Sequence, residues 1–546
     1  MSGPDVQQVK FGRPIGAVSR VFRNDWSPVA VPDLDGWRPT STVSVVMPAY
    51  QDQATVDLAL AALSGQSYPS ELFDVVVVDD GSDPPLRLPG IRPEATRLLR
   101  VEQGWGKANA VRLGVSHSSG EILHLLDSDM LVHPGHVAAL ARWHHVLPYA
   151  VSLGYKRFVD PAAYGPLPTP EEVAAAWAKG GAAELFGAHP GEPHGYQERH
   201  IAQTDQLRSA DHLAFRVFVG ATVGLRRELY DAAGGMDAAL RFGNDTEFGY
   251  RLAQAGAVFI PEPAARAWHL GPTHVMRAKD EIARYRLAFL ADRVPIPRTW
   301  RKAGGTAWTV PLVEVVMPAQ GQPLERVRAA VDSVLRGQEG DLRLTLVGPW
   351  DRLNPGRVPA LTDPQLDLRL IAASYRGEPR VRFATEAPDS AFPSPYLLEL
   401  PAPYGLAPGA LRTLIDLADR HQAGVVRVGA RTGHDILLWR TAALSRARWL
   451  RTDDEPLLDL VTAVHGRRDA TAEQVGIIDL GQLGPEELAA GIPSVPGGRR
   501  GRLVPSTVEV EGVRSLARAA VVVAWLGGRR VAARVRAARR RFTARD

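Results

Sequence analysis

Asp127 and Asp129 stand one residue apart, with Ser128 between them, at the end of the apolar run Glu121-Ile122-Leu123-His124-Leu125-Leu126. Two carboxylates at that spacing can share a hard cation, and a cation so held can neutralise a diphosphate. An isolated Asp-x-Asp is most often a polar turn after a strand, so its meaning depends on its company. Asp79-Asp80-Gly81-Ser82 closes another apolar run, Phe73 to Val78. Its carboxylates suit either a helix cap or the edge of a nucleobase, and nearby Pro48, Ala49 and Tyr50 add a flat ring surface. Lys107 lies in Gly106-Lys107-Ala108-Asn109-Ala110, where backbone N–H groups at a helix start and an ammonium suit a phosphate. Asp245 follows Phe242-Gly243-Asn244 and opens a helix predicted to reach Gln254, which directs its carboxylate from a helix start toward a cleft. Trp268-His269 adds an imidazole.

The elements needed to position these groups are visible in the pattern. Val43-Ser44-Val45-Val46-Met47 reads as a buried strand stopped by Pro48, followed by a helix over 54–64 and the strand Phe73–Val78. A helix over 106–116 precedes the strand that delivers Asp127 and Asp129. Alternating strands and helices predict an α/β fold with a mostly parallel sheet, whose ligands bind at the carboxyl ends of the strands.

At Val313 the pattern restarts. Val313-Glu314-Val315-Val316-Met317-Pro318-Ala319-Gln320 echoes Val43-Ser44-Val45-Val46-Met47-Pro48-Ala49-Tyr50, and an internal repeat is the economical explanation. Further on, Pro401-Ala402-Pro403 falls where the first copy has Asp127-Ser128-Asp129. Leu346-Val347-Gly348-Pro349 takes the place of Val78-Asp79-Asp80-Gly81. The second copy is therefore expected to keep the fold without the chemistry.

A chain of 546 residues, 45% of them apolar, is too long for one core and suggests several domains. With no cysteine, disulfides, thiolate metal sites and cysteine nucleophiles are excluded, and any metal must sit on oxygen or imidazole. The formal charge is only +4, but arginines crowd the C-terminal end, and no nucleic-acid reader motif accompanies them. No apolar stretch reaches the ~20 residues needed to cross a bilayer, and the first residues lack an apolar signal segment. A cytoplasmic location is expected. Residues 515–526 followed by Arg529, Arg530, Arg534, Arg536 and Arg539 to Arg541 predict an amphipathic basic helix suited to the inner face of the plasma membrane.

Taken in order, Pro48-Ala49-Tyr50, Asp79-Asp80-Gly81-Ser82, the Lys107 segment, Asp127-Ser128-Asp129, Gly220-Ala221 through Asp245-Thr246-Glu247, and Trp268-His269 resemble glycosyltransferase family 2, with its GT-A fold. Glu247-Phe248-Gly249-Tyr250-Arg251-Leu252 is most similar to the chondroitin-polymerase-like branch, which carries two tandem GT-A domains. The resemblance implies an arm over 1–40, a catalytic GT-A domain over 41–300, a degenerate GT-A-like domain over 301–490 and a basic tail over 491–546. It implies an inverting, metal-dependent transferase acting on a nucleotide-sugar, a UDP-sugar by the family pattern, with a glycan or lipid-linked acceptor in cell-surface polysaccharide synthesis. Pro48, Ala49, Tyr50, Asp52, Asp79, Asp80, Lys107, Asp127 and Ser128 would contact the donor. Asp129 and His269 would hold Mn²⁺ or Mg²⁺, Asp245 would be the base, and Glu247 would hold the acceptor or orient its loop. Two positions depart from the family: Arg112 and Asn244 stand where it often has Asn and usually has Glu. A sugar-nucleotide pyrophosphorylase would need a Gly-rich basic loop after the first strand, which Pro48-Ala49-Tyr50-Gln51-Asp52 does not supply. A non-catalytic glycan-binding or scaffold protein on the same fold is the remaining alternative.

Overall fold

The computed structural model describes residues 19–490 except 181–184, 187–190, 302–306, 354–355, 430–434 and 453. The basic helix expected in the tail lies outside the described residues.

The chain begins its first sheet with β1 (Val43–Ala49), turns into α1 (Gln53–Ser64), and returns as β2 (Phe73–Asp79). Valine-rich runs with both faces covered become strands because branched side chains pack well on a pleated surface. Val45 and Met47 of β1 face one core with Val75, Val77 and the apolar side of α1, whereas Val46 faces the other. β1 runs through Pro48, contrary to the expected stop, because proline tolerates an extended backbone and Pro48 simply pairs in register with Val78. α1 starts one residue earlier than expected, where Asp52 caps it by accepting from Thr55 N at 3.2 Å.

There follow β3 (Thr96–Arg100), α2 (Lys107–Ser116), β4 (Ile122–Leu126), β5 (Met130–Val132), β6 (Ala150–Val159), β7 (Thr222–Arg226), α3 (Asn244–Gln254) and β8 (Val258–Leu270). The strand order is β3-β2-β1-β4-β7-β6-β8-β5, with a two-residue strand, Glu192–Pro193, added on β6. β1, β2, β3 and β4 are parallel, β7 runs antiparallel to β4 and β6, β6 and β8 are parallel, and β5 pairs antiparallel to β8. The loops after β1, β2 and β4 therefore open at one end of the sheet, where the parallel strands deliver their carboxyl ends.

The second sheet repeats this plan. β9 (Val313–Pro318), β10 (Leu342–Val347), β11 (Val381–Ala384), β12 (Tyr396–Glu399), β13 (Val425–Val428), β14 (Ile436–Arg440) and β15 (Arg467–Ala470) are ordered β11-β10-β9-β12-β14-β13-β15. The same alternation of parallel and antiparallel neighbours recurs. Val43 pairs with Ile122 as Val313 pairs with Tyr396, so Asp127, Ser128 and Asp129 correspond to Pro401, Ala402 and Pro403. Val43 opposite Phe73 and Val313 opposite Leu342 make Gly348 and Pro349 the counterparts of Asp79 and Asp80, one place on from the sequence alignment. The difference arises because register is set by strand pairing, and a one-residue slip would turn every side chain to the other face.

One hydrophobic core runs from Leu123, Leu125 and Val223 of the first sheet to Val313, Leu344 and Leu398 of the second. Arm residues thread this joint: Asn24 donates to Leu207 O and Phe259 O at 2.9 Å each and accepts from Phe259 N at 2.9 Å. Arg446 donates to Val21 O, Arg23 O and Ala257 O, so an interior guanidinium ties arm and both sheets together. Among the described residues no helix is long and apolar enough to cross a membrane.

Candidate active site

The loops after β1 and β2 are laced to one another. Asp80 N donates to Ala49 O at 2.9 Å and Gln51 N to Ser82 Oγ at 2.8 Å. Asp79, 1% exposed, accepts from Ser82 N at 2.8 Å, Leu86 N at 3.3 Å and Arg100 Nη1 at 2.6 Å. Burial opposes its charge, but these donors outweigh it and hold its carboxyl below the usual range. Asp79 thus shapes the loop, with its lone pairs already committed, and neither it nor Asp80 begins a helix. Asp80 keeps a free acceptor: Oδ2 takes Gly106 N at 2.6 Å, while Oδ1 is buried with no partner. A buried unpaired oxygen costs on the order of 1–3 kcal/mol, which an N–H on a ligand would recover. Tyr50, 57% exposed, lies beside it on the β1 loop. Trp105, which carries no sequence motif, is equally open and packs under the Arg241 guanidinium at 4.2 Å.

β4 ends at Leu126, and Asp127 N is held by Ala221 O at 2.9 Å. Lys107, first residue of α2, reaches Asp127 Oδ1 at 2.8 Å, Gly220 O at 3.3 Å and Asp245 Oδ1 at 3.6 Å. Burial works against its charge, yet Asp127 and Asp245 prevail and raise its pKa. Asp245 sits in the first turn of α3, whose N-cap Gly243 has φ 83°, a left-handed conformation that glycine adopts without strain. Its Oδ2 accepts from Gly220 N at 3.1 Å. A Cβ at Gly220 would come within 2.6 Å of the Asp245 carboxylate, so only glycine lets β7's approach and α3 share this corner. Asn244, the departure from the family, is buried, and its Oδ1 accepts Asp245 N at 3.0 Å, an anchoring role for the helix start.

His269 arrives from the far end of the domain. β5 and β8 pair antiparallel with Met130 opposite His269, and Leu270 N donates to Asp129 O at 2.9 Å, which sets the imidazole beside Asp129. His269 Nδ1 lies 3.0 Å from Gly271 O and must donate there, because a carbonyl only accepts; Nε2 then turns its lone pair toward Asp129 Oδ2 at 3.5 Å. Burial pushes the imidazole down to about 4, against the pull of Asp127. Burial and then Asp127 push the Asp129 carboxyl up to about 7, and its Oδ1 is buried without a partner. Two acceptors facing each other this way are reconciled by a shared proton, which the raised Asp129 carboxyl can carry, or by a cation. Oxygen and imidazole donors fit a divalent ion. Among the described residues no group of three or more His, Cys, Asp or Glu side chains is placed to hold a metal, so the pair offers part of a shell that oxygens of a diphosphate would complete.

Pro48, Ala49 and Tyr50, Asp80, Lys107, the Asp127–Asp129 turn, Asp245 and His269 are thus brought to one end of the sheet. Asp52 caps α1 yet stays exposed and close enough to Asp129 to help raise its pKa, whereas Glu247 turns away from an open role. Glu247, 4% exposed, pairs with Arg251, whose Nη2 donates at 2.6 Å, and Arg251 Nη1 donates to Gly235 O at 2.6 Å, fastening the Gly234-Gly235 turn. It belongs to the loop-orienting alternative of the two expected for it. Glu247→Ala is expected to lower unfolding free energy by about 3–5 kcal/mol, since a buried guanidinium would lose its partner. Denaturant titration measures this. Unchanged stability with a lost turnover number would instead put Glu247 on the acceptor.

Lys156 on β6 went unnoticed in the sequence. It is 2% exposed, donates to Gln197 Oε1 at 2.8 Å, and faces Asp127 and Asp245; burial lowers its pKa to about 8. A lone lysine in the strand Ala150–Val159 was the available signal, and only the sheet order shows that it lies toward the carboxylates.

Residues 44–230 match the family described as Glycosyl transferase family 2. The chain is 25% identical over 366 residues to chondroitin synthase of Escherichia coli, covering 63% of this chain and 50% of that protein. It is 26% identical over 374 residues to a hyaluronan synthase of Pasteurella multocida, covering 63% of this chain and 35% of the relative. It therefore spans half or less of the length of these relatives. Among solved structures, a mannosyltransferase from Pyrobaculum calidifontis in complex with GDP-Man and Mn²⁺ shares 19% identity at a TM-score of 0.31, covering 51% of this chain and 68% of that one.

Proposed function

We propose a function from one premise: residues 44–230 form a family 2 glycosyltransferase domain, of the branch represented by the chondroitin and hyaluronan synthases. The chain transfers a sugar from a nucleotide-diphosphate donor, a UDP-sugar, to a glycan or lipid-linked acceptor in polysaccharide synthesis, with inversion at the anomeric carbon. The observation that carries this reading is the meeting of Asp129, His269, Lys107 and Asp245 at the carboxyl ends of the parallel strands.

Asp80 Oδ1 and the Tyr50 ring receive the nucleobase. Asp129 and His269 would hold Mn²⁺ or Mg²⁺, which would supply positive charge for the departing diphosphate. Lys107 adds a second positive charge, and on donor binding its ammonium exchanges the Asp127 and Asp245 carboxylates for phosphate oxygens. Asp245 is then free to take the acceptor hydroxyl proton. The acceptor oxygen bonds to the anomeric carbon from the side opposite the diphosphate, the bond to the diphosphate oxygen breaks, and the diphosphate leaves with that electron pair. The second sheet, with prolines in place of the carboxylates, supports the first and contributes to acceptor binding or assembly. The divisions 41–300 and 301–490 mark the two copies, and the basic tail provides attachment to an anionic membrane surface.

A panel of UDP- and GDP-sugars, scored for hydrolysis and transfer with and without Mn²⁺, tests this. Turnover of a UDP-sugar only with the metal is expected. No binding or hydrolysis of any donor under any metal condition would leave the scaffold reading in its place.

A further inference from the structure

A cleft with about 60 Å³ of free space opens at the joint of the arm and the two sheets, away from the carboxylate site. Arg23 comes from the arm, His212 and Gln254 from the first sheet's half, and Arg440, Arg446 and His465 from the second. Two carboxylates accompany them: Asp211 on the wall, bound to Leu213 N at 2.8 Å, and Asp419, paired with Arg440 at 3.0 Å. Three guanidinium charges thus face two carboxylates, before either histidine is counted. Among the described residues neither Arg23 nor Arg446 has an ion-pair partner. Arg23 donates to His421 O at 2.8 Å, and Arg446 to carbonyls of the arm and of the chain after α3. Carbonyls satisfy the N–H groups but carry no net charge; Arg23 is half-buried, whereas Arg446 is fully buried, and an uncompensated buried cation is costly.

Three further side-chain atoms in this cleft are buried and have no partner: His212 Nδ1, His465 Nδ1 and Gln254 Oε1. Gln254 is 3% exposed and His465 9%. Each imidazole nitrogen donates in one tautomer, and the Gln254 amide turned over presents its NH₂. Burial and the neighbouring arginines depress His465, as they would in a positive field.

We propose that this cleft binds a small oxyanion, of phosphate or carboxylate type, that completes the hydrogen bonding of these three groups and balances the excess guanidinium charge. The site lies at the carboxyl end of α3, and Asp245 lies in the first turn of the same helix, about 14 Å away at 1.5 Å per residue. An anion there fastens arm, α3 and second sheet in one arrangement. The inference does not depend on which sugar is transferred, or on whether one is.

Calorimetric titration of the full chain with inorganic phosphate, and separately with acetate, tests it, the two probes distinguishing the anion classes. Saturable binding of one equivalent at a dissociation constant of about 1 mM or below is expected for one of them. Binding should persist in Asp129→Ala and in the presence of saturating nucleoside diphosphate. Gln254→Leu and His212→Leu should each weaken it about tenfold while unfolding at the wild-type midpoint without anion; Arg23→Gln carries the same expectation should either fail to fold. Absence of saturation with both probes overturns the proposal. Loss of binding in Asp129→Ala, or displacement by the nucleoside diphosphate, also overturns it by placing the anion in the donor site. Unchanged affinity in the folded cleft variants does so as well.

Discussion

Asp245→Asn should reduce transfer at saturating donor by about 10²–10⁴-fold, the range that a positioned general base contributes. The substitution is nearly isosteric. The asparagine carbonyl can still accept from Gly220 N, which Asp245 Oδ2 now does at 3.1 Å, so the helix start and the β7 corner should survive. What is lost is the proton acceptor, together with the attraction to Lys107 Nζ at 3.6 Å. That attraction is the weaker of Lys107's two ion pairs, since Asp127 lies at 2.8 Å, and donor affinity should therefore change little. Steady-state turnover numbers measured beside direct donor binding decide the matter. A parallel fall in donor binding with no separate loss in turnover number would remove Asp245 from the base role and make it a donor contact.

Asp129→Ala should abolish the metal dependence of donor binding. The unpartnered Oδ1 and the lone-pair confrontation with His269 both disappear with the carboxylate, and one imidazole held by Gly271 O is a poor site for a hard cation. Donor affinity in Mn²⁺ should drop at least about 100-fold, equivalent to ~2.7 kcal/mol, to the value the wild-type protein shows in chelator. The neighbouring Asp127→Ala separates two roles: it removes the donor contact expected of Asp127 but leaves the Asp129–His269 pair, and should weaken donor binding with and without metal alike. Retention of metal-stimulated binding in Asp129→Ala would place the cation elsewhere and undo the Asp129–His269 assignment.

Much of this site was legible because its parts are local. Helix α3 ends at Gln254 as expected and starts at Asn244, one residue before the expected Asp245, and the strands that carry Asp79 and lead into Asp127 follow from apolar runs. The prolines at 401 and 403 stand opposite Asp127 and Asp129 in the repeated topology, as the sequence echo implied. Less legible were groups whose partners are distant in the chain. Asp79 read as a ligand contact but is bound by Arg100; Glu247 offered two roles, and its helix geometry with Arg251 at i+4 selects the structural one. Lys156, Arg241 over Trp105 and the cationic joint carry no motif at all, because each acquires its meaning only from neighbours supplied by other elements.

From the residues alone came the period of strand and helix, the repeat, the loss of carboxylates in its second copy, and the set of groups able to act on a diphosphate. Those properties depend on side-chain type and short-range spacing, which folding does not alter. Tertiary structure decided which carboxylates remain free to meet a ligand: Asp80 and Asp129 each keep a buried, unpartnered oxygen, whereas Asp79 has its donors already. It also decided that His269 lies beside Asp129, since that placement rests on antiparallel pairing between β5 and β8. Long-range pairing and burial set the charge and hydrogen-bond balance of each group, and that balance separates a ligand-binding carboxylate from one that only holds a loop.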